Sequence, residues 1–238
     1  MKKTVGRRNR SQYSGSNSYP YFNVALGVIV LVFILYKSLP SYIFITRPQP
    51  SLVAATYPDT SRLPIQTDIT ADEVDEHRIR DIFIGGSLIK IKPVATYEIN
   101  ARVVSKRNYT EDWDGELMPV DLALAWGDLA KEEYHQFMNY HHSDRYFSWR
   151  SSRENKLNKN YIISHSANVH FISPNKNIEN ALISVGTDDR VRIKGYLVNV
   201  EGPSGQVRRT SLIRDDIGSG ACENVYITKL QIGNEVFE

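Results

Sequence analysis

The sequence predicts a mainly β (α+β) protein: an N-terminal transmembrane helix followed by an OB-like small β-barrel with a helical insert. Three observations carry this. Residues 21–39 (YFNVALGVIVLVFILYKSL) form the only stretch apolar enough to enter a bilayer. Residues 89–103 alternate, with Ile89, Ile91, Pro93, Ala95, Tyr97, Ile99, Ala101 and Val103 on one parity and mostly polar residues on the other. That is the period of a half-buried strand. Several further short β runs, one of them containing Gly195, match a coiled Greek-key barrel whose strands bend at glycines.

Residues 1–20 are polar and read as a cytoplasmic tail. Residues 21–39 would span about 28 Å as a helix, close to the hydrocarbon thickness of a membrane. Lys2, Lys3, Arg7, Arg8 and Arg10 precede the span and no acidic residue does. The positive-inside rule then keeps the N-terminus in the cytoplasm and exports the rest. A cleaved signal peptide is the competing reading, but no small-x-small site follows; Lys37, Leu39, Pro40 and Tyr42 hold those places. The formal charge of +2 hides an asymmetry. Five of the 29 basic residues precede the span, Lys37 lies in it, and all 27 acidic residues follow it, so residues 38–238 carry a net charge of −4. A mildly acidic exported domain argues against nucleic acid as a partner. Cys222 is the single cysteine, which excludes an internal disulfide and a Cys-pair zinc site.

Residues 40–80, with Pro48, Pro50, Pro58 and Pro64, are expected as a linker, in which Thr70 and Glu73 have capping-box spacing. Residues 81–238 are expected as the exported domain. After the long first strand, Pro119 and the apolar run 120–126 predict one helix, and residues 129–141 predict a second. Residues 146–150 read as a strand. Residues 162–172 alternate again, with Ser164, Ser166, Asn168 and His170 on one face. A short helix is expected at 176–184. In 191–200 the apolar parity changes near Gly195, which predicts a bulge there. Gly202, Pro203, Ser204 and Gly205 make a turn, residues 207–213 pair back, and 222–232 form the last strand.

The segments ARVVSKRNY, PVDLALAWGDL, YFSWR, SHSANVHFIS, VRIKGYLVNVEG and TSLIRDDIGSGACE resemble those of an uncharacterised family of bacterial single-pass membrane-anchored proteins. The resemblance covers most of residues 99–227, and SANVHFI and IRDDIGSGACE are its most specific parts. That family has no established activity, so the resemblance implies no catalytic roles. It implies a bacterial inner-membrane location with the domain in the periplasm.

Three groups of side chains are candidate sites. The first surrounds Cys222, with Arg214 and Asp215 in the preceding turn and His170 or His165 as a base for a nucleophilic thiolate. A membrane anchor, a barrel and a lone cysteine invite comparison with sortases. The Thr-Leu-x-Thr-Cys run of sortases is absent, and no arginine follows Cys222. The bland reading of this group is a small buried cysteine beside a salt-bridged turn. The second group is the row Ser164, Ser166, Asn168 and His170, which on a strand would face a ligand or partner, or simply solvent. The third is His135, His141, His142 and Asp144, whose spacing does not suit chelation of one metal. No HExxH, Walker, GxGxxG or GxSxG motif occurs, and neither a metal nor a cofactor is expected. The expected function is a membrane-anchored binding or scaffold domain, with the bilayer and an envelope protein as partners. The alternative is an envelope hydrolase or transferase using Cys222 with a histidine. A ligand sensor is disfavoured by the short tail.

Overall fold

The computed structural model describes residues 47–73, 75–215, 218 and 220–238, together with Val28. The expected tail and transmembrane segment, and the linker as far as residue 46, lie outside the described residues apart from Val28. Among the described residues no helix is long and apolar enough to cross a membrane. The structure is mainly β and is dominated by one large mixed sheet.

Strand β4 (Ser87–Asn108) organises that sheet, because its alternating pattern lets one long strand serve several partners. Short strands β1 (Leu52–Val53), β2 (Ile65–Asp68) and β3 (Ile82–Ile84) precede it, and β2 and β3 pair with it. Both β1 and β2 fall within the expected linker, so part of that stretch belongs to the sheet. The Thr70–Glu73 pair does form, with the carboxylate accepting from the Thr70 N–H at 3.0 Å, but it closes turns rather than a helix. Pro93 does not break β4. The register against its neighbour slips between Pro93 and Ala95, which absorbs the missing N–H as a bulge.

Next come α1 (Asp112–Leu117) and β5 (Val120–Ala125). Sequence reasoning expects a helix over 120–126; the structure has a strand whose six residues are all buried. A strand covered on both faces loses its polar alternation and becomes a plain apolar run, which periodicity cannot tell from a buried helix. The second expected helix, 129–141, is also corrected. It is a 3-10 turn (Gly127–Ala130), the short α2 (Glu132–His135) and β6 (Met138–Ser143). Strand β6 pairs with β7 (Tyr146–Ser151) as a separate hairpin. Met138, Tyr140, Phe147 and Trp149 of this hairpin pack on Val104, Ala123, Ala125, Leu129 and Ile162. That packing covers the second face of β5.

The strand expected from 162 instead begins as α3 (Lys159–Ser164), capped by Asn158, whose side chain accepts from Tyr161 N. Strand β8 (Ser166–Ile172) follows, then α4 (Lys176–Ser184) where expected, capped by Asn175. Strands β9 (Arg190–Glu201), β10 (Val207–Arg208), β11 (Glu223–Ile232) and β12 (Glu235–Phe237) complete the chain. Of residues 207–213, only the two in β10 pair back on β9.

Five strands pair in a cycle: β4 with β5, β5 with β8, β8 with β11, β11 with β9, and β9 with β4. All five pairings are antiparallel except β8 with β11. Val120, Leu122 and Leu124 of β5, Val169 and Phe171 of β8, and Val225 and Ile227 of β11 share one core, which Ile178 and Leu182 of α4 join.

Gly195 is not a bulge in β9, as the parity change suggested. Val191, Ile193 and Leu197 keep one parity and enter the main core, while Val198 and Val200 enter a second cluster with Ile79, Ile84 and Ile89. Both faces of the strand are buried towards its end, and that mimics a phase change. The glycine is needed for close approach: a Cβ there would overlap the Tyr226 carbonyl oxygen and lie 3.0 Å from the carbonyl carbon. Gly195→Ala is therefore expected to cost about 1–3 kcal/mol, because it forces β9 and β11 apart. The check is urea unfolding against Gly186→Ala, whose Cβ would meet only the Asp189 carboxylate at van der Waals distance. Equal midpoints for the two variants would refute the close-approach account.

Candidate functional site

The face of β5 and β8 turned away from the main core carries Asp121, Asn168 and His170, and the β6–β7 hairpin lies over it. Asp121 is fully buried, and Asn168 and His170 are nearly so. The register places Asp121 directly opposite His170. On the other side of β8, the parallel β11 pairs Glu223 with Val169, which brings Cys222, just before β11, alongside. Three adjacent strands thus deliver Asp121, His170 and Cys222 to one place.

His170 Nδ1 lies 2.8 Å from Asp121 Oδ1, off the ideal hydrogen-bonding line. Burial works to lower the basicity of this imidazole. Contact with Asp121 and Cys222, and the negative charge of each, outweighs burial and pushes the His170 pKa up to about 9. With Nδ1 turned towards the carboxylate, Nε2 is the nitrogen left for the sulfur. The aligned polar contacts of the thiol at rest are with Asn168 Nδ2, at 3.6 Å, and with the Arg145 carbonyl oxygen, at 3.9 Å.

Arg145 completes the arrangement from the hairpin tip. Asp144 and Arg145 both have positive φ, 47° and 68°, as a two-residue turn of primed type requires. The turn aims the Arg145 guanidinium inward. It donates to Asp121 Oδ1 at 2.7 Å, to Met118 O at 2.9 Å and to Asp114 O at 3.0 Å, and it lies 3.7 Å from the centre of the Tyr109 ring. Asp121 Oδ2 has no hydrogen-bond partner among the described residues. His142 Nε2 lies 2.8 Å from Asn168 Oδ1 and its Nδ1 lies 2.8 Å from Ser105 Oγ. Asn168 Nδ2 donates to Arg145 O at 3.0 Å, so the amide oxygen faces His142 and the imidazole carries its proton on Nε2. Burial holds the His142 pKa below the ordinary histidine value, with the Asn168 contact opposing it.

A cleft of about 150 Å³ opens beside Cys222. Tyr146, Phe147, Trp149, Ile163 and Ala167 give it an apolar wall, and Ser166 and Asn168 also line it.

The sequence-derived candidates are partly gathered. Cys222, His170 and Asn168 come together. Arg214 does not reach the thiol: it donates to Glu223 Oε1 at 3.1 Å and to Gln66 Oε1 at 2.7 Å, a structural ion pair. Asp215 is exposed and takes no part. Ser164 ends α3 and donates to Tyr161 O, and Ser166 donates to Ile162 O, so the four-residue row on one strand reduces to Ser166, Asn168 and His170. These three lie under the hairpin. His165 follows α3 and stacks on Tyr161 at 3.8 Å. His135 sits by Asp188, His141 is exposed and His142 is buried. Among the described residues no three His, Cys, Asp or Glu side chains converge as a metal site. Sequence reasoning missed Asp121 and Arg145, and it named His142 only within a metal group and not as a partner of Asn168. Asp121 had a signal: it is the one charge in an otherwise apolar run, and a buried charge needs a partner. Comparison with known proteins adds nothing to this geometry, for no family model, curated protein or solved structure matches the chain.

Proposed function

We propose that this chain is a thiol-dependent acyl-transfer enzyme, a hydrolase or transferase, in which Cys222 is the nucleophile, His170 its acid–base partner and Asp121 the group that orients His170. The observation that carries the reading is the delivery of these three residues by neighbouring strands to one place, with Cys222 on the wall of a cleft and His170 and Asp121 buried behind it. The roles follow from chemistry. A thiol attacks as thiolate, an imidazolium beside it favours that form, and a buried carboxylate on the far nitrogen fixes the ring. The scaffold is read as an OB-type barrel. In support, the cycle runs first–second–third–fifth–fourth and back to the first strand, with third and fifth parallel and α4 between third and fourth. The basic tail and the apolar run 21–39 support attachment to the bacterial cytoplasmic membrane with the domain outside. The binding or scaffold expectation took Ser164, Ser166, Asn168 and His170 as its partner-binding face, and the side chains of Asn168 and His170 are engaged internally instead.

The test is the rate at which iodoacetamide alkylates the full-length protein in mild detergent. Cys222 is expected to react at pH 7 roughly ten times faster than in a His170→Gln variant, which lacks the imidazolium that holds the thiolate. A Cys222 that reacts only after denaturation, or equally fast in both proteins, would overturn the proposal.

A further inference from the structure

We infer that the Asn168 side-chain amide is the oxyanion donor of this site, and that the group it serves is a short apolar or aromatic acyl group seated in the adjoining cleft. The inference rests on the thiol chemistry proposed above. Asn168 Nδ2 is the side-chain nitrogen aligned on Cys222 Sγ, at 3.6 Å. One of its two hydrogens is held by the Arg145 carbonyl at 3.0 Å. The other is available on the sulfur side, where a carbonyl oxygen bonded to the attacked carbon would come to lie. The amide cannot rotate freely, because its oxygen accepts from His142 Nε2 at 2.8 Å and His142 is itself held by Ser105. A donor fixed before the reaction, in a nearly buried position, is what stabilises a developing oxyanion most effectively. Through the same chain of contacts His142 positions Asn168 without touching substrate.

The acyl side is set by the cleft. Its wall is Tyr146, Phe147, Trp149, Ile163 and Ala167, with no charged side chain among its described lining residues. A volume near 150 Å³ suits a group about the size of a benzene ring.

In the step, the Cys222 thiolate attacks the acyl carbonyl carbon and forms a C–S bond. The carbonyl π pair moves onto oxygen, which Asn168 N–H receives. Collapse restores C=O and breaks the bond to the leaving group, which takes the proton from His170. Water then attacks the thioester and gives one proton to His170, the C–S bond breaks, the carboxylic acid leaves, and the Cys222 thiolate stands again beside protonated His170.

Two reactions of the same sulfur separate the claims. Acylation by p-nitrophenyl acetate, followed as a nitrophenolate burst, passes through an oxyanion. Alkylation by iodoacetamide does not. Asn168→Ala is expected to lower the ratio of acylation to alkylation at least tenfold relative to the unaltered protein. Alkylation of each preparation reports its folded, competent fraction, so partial unfolding cancels from the ratio. Asn168→Ser serves if the alanine variant does not fold. An unchanged ratio in a variant that still alkylates rapidly overturns the oxyanion role and leaves the thiol reading standing. A slow thiol in the unaltered protein overturns both.

Discussion

Arg145→Ala is expected to destabilise the domain by about 3–5 kcal/mol, one of the largest losses available to a single side chain here. Asp121 is fully buried, and its close ionic partners are Arg145 and His170. Removing Arg145 leaves the buried Asp121 carboxylate with His170 as its remaining cationic partner, in a medium that solvates charge poorly, and that penalty is what the variant measures. The guanidinium also ties the hairpin to Met118 O and Asp114 O, and the Arg145 backbone N–H donates to the Tyr109 hydroxyl at 3.0 Å. Two controls isolate the charge. Arg145→Gly removes the same contacts at a position of φ 68°, where glycine is unstrained, so its difference from the alanine variant reads backbone strain of about 1 kcal/mol. Asp121→Asn in the Arg145→Ala background removes the under-compensated carboxylate, and above pH 7 His170 can then release its proton, so part of the loss is expected to be restored. Urea unfolding of the four proteins is the measurement. A loss under about 1 kcal/mol for Arg145→Ala would mean that water reaches Asp121 and that the site is not sealed by the hairpin.

How much of this was legible in the sequence depends on which faces each element shows to water. Residues 89–103 alternate visibly because β4 keeps one face polar along much of its length. Residues 120–125 did not declare themselves, because the β6–β7 hairpin covers the face that would have been polar. Residues 138–143 carry Met138, Tyr140 and His142 at strand spacing, yet Tyr134, Met138 and His141 also fit a helical face. Only the tertiary pairing with β7 decides between them. The site shows the same limit. Cys222 and His170 could be suspected from their chemistry. Their distance apart in the chain, and the parallel pairing of β8 with β11 that joins them, are facts of topology that no local pattern encodes. Arg145 was invisible as a site residue because a turn residue is expected to face solvent. Two consecutive positive φ angles turn it inward. Asp121 was the exception: a single carboxylate in PVDLALAW is costly unless something pairs with it, and that cost was readable in advance.

Stability should fall as pH rises from about 6.5 to 9, and His170 is the reason. Its pKa in the folded chain is about 9, against about 6.5 for an unfolded histidine. Between those values the folded state holds a proton that the unfolded state has released, so raising the pH favours unfolding. The contribution is complete below pH 6.5, fades across the window and is gone once the imidazole in the fold has lost its proton. It amounts to something on the order of 3 kcal/mol. His142 and His135 work in the opposite sense. Burial lowers both pKa values, so their contribution is present above pH 6.5 and is lost as the pH falls through their folded values. A maximum near neutrality follows. Thermal melts from pH 5.5 to 9.5 would test this in a Cys222→Ser background, where no thiol titrates; the alkaline decline is expected there in reduced form and ending at a lower pH, because Asp121 alone then raises the His170 pKa. Adding His170→Gln should remove the alkaline decline and leave the acid one. If the two curves instead run parallel above pH 6.5, His170 is neutral in the fold, and the ion pair with Asp121 on which the proposed chemistry depends does not exist.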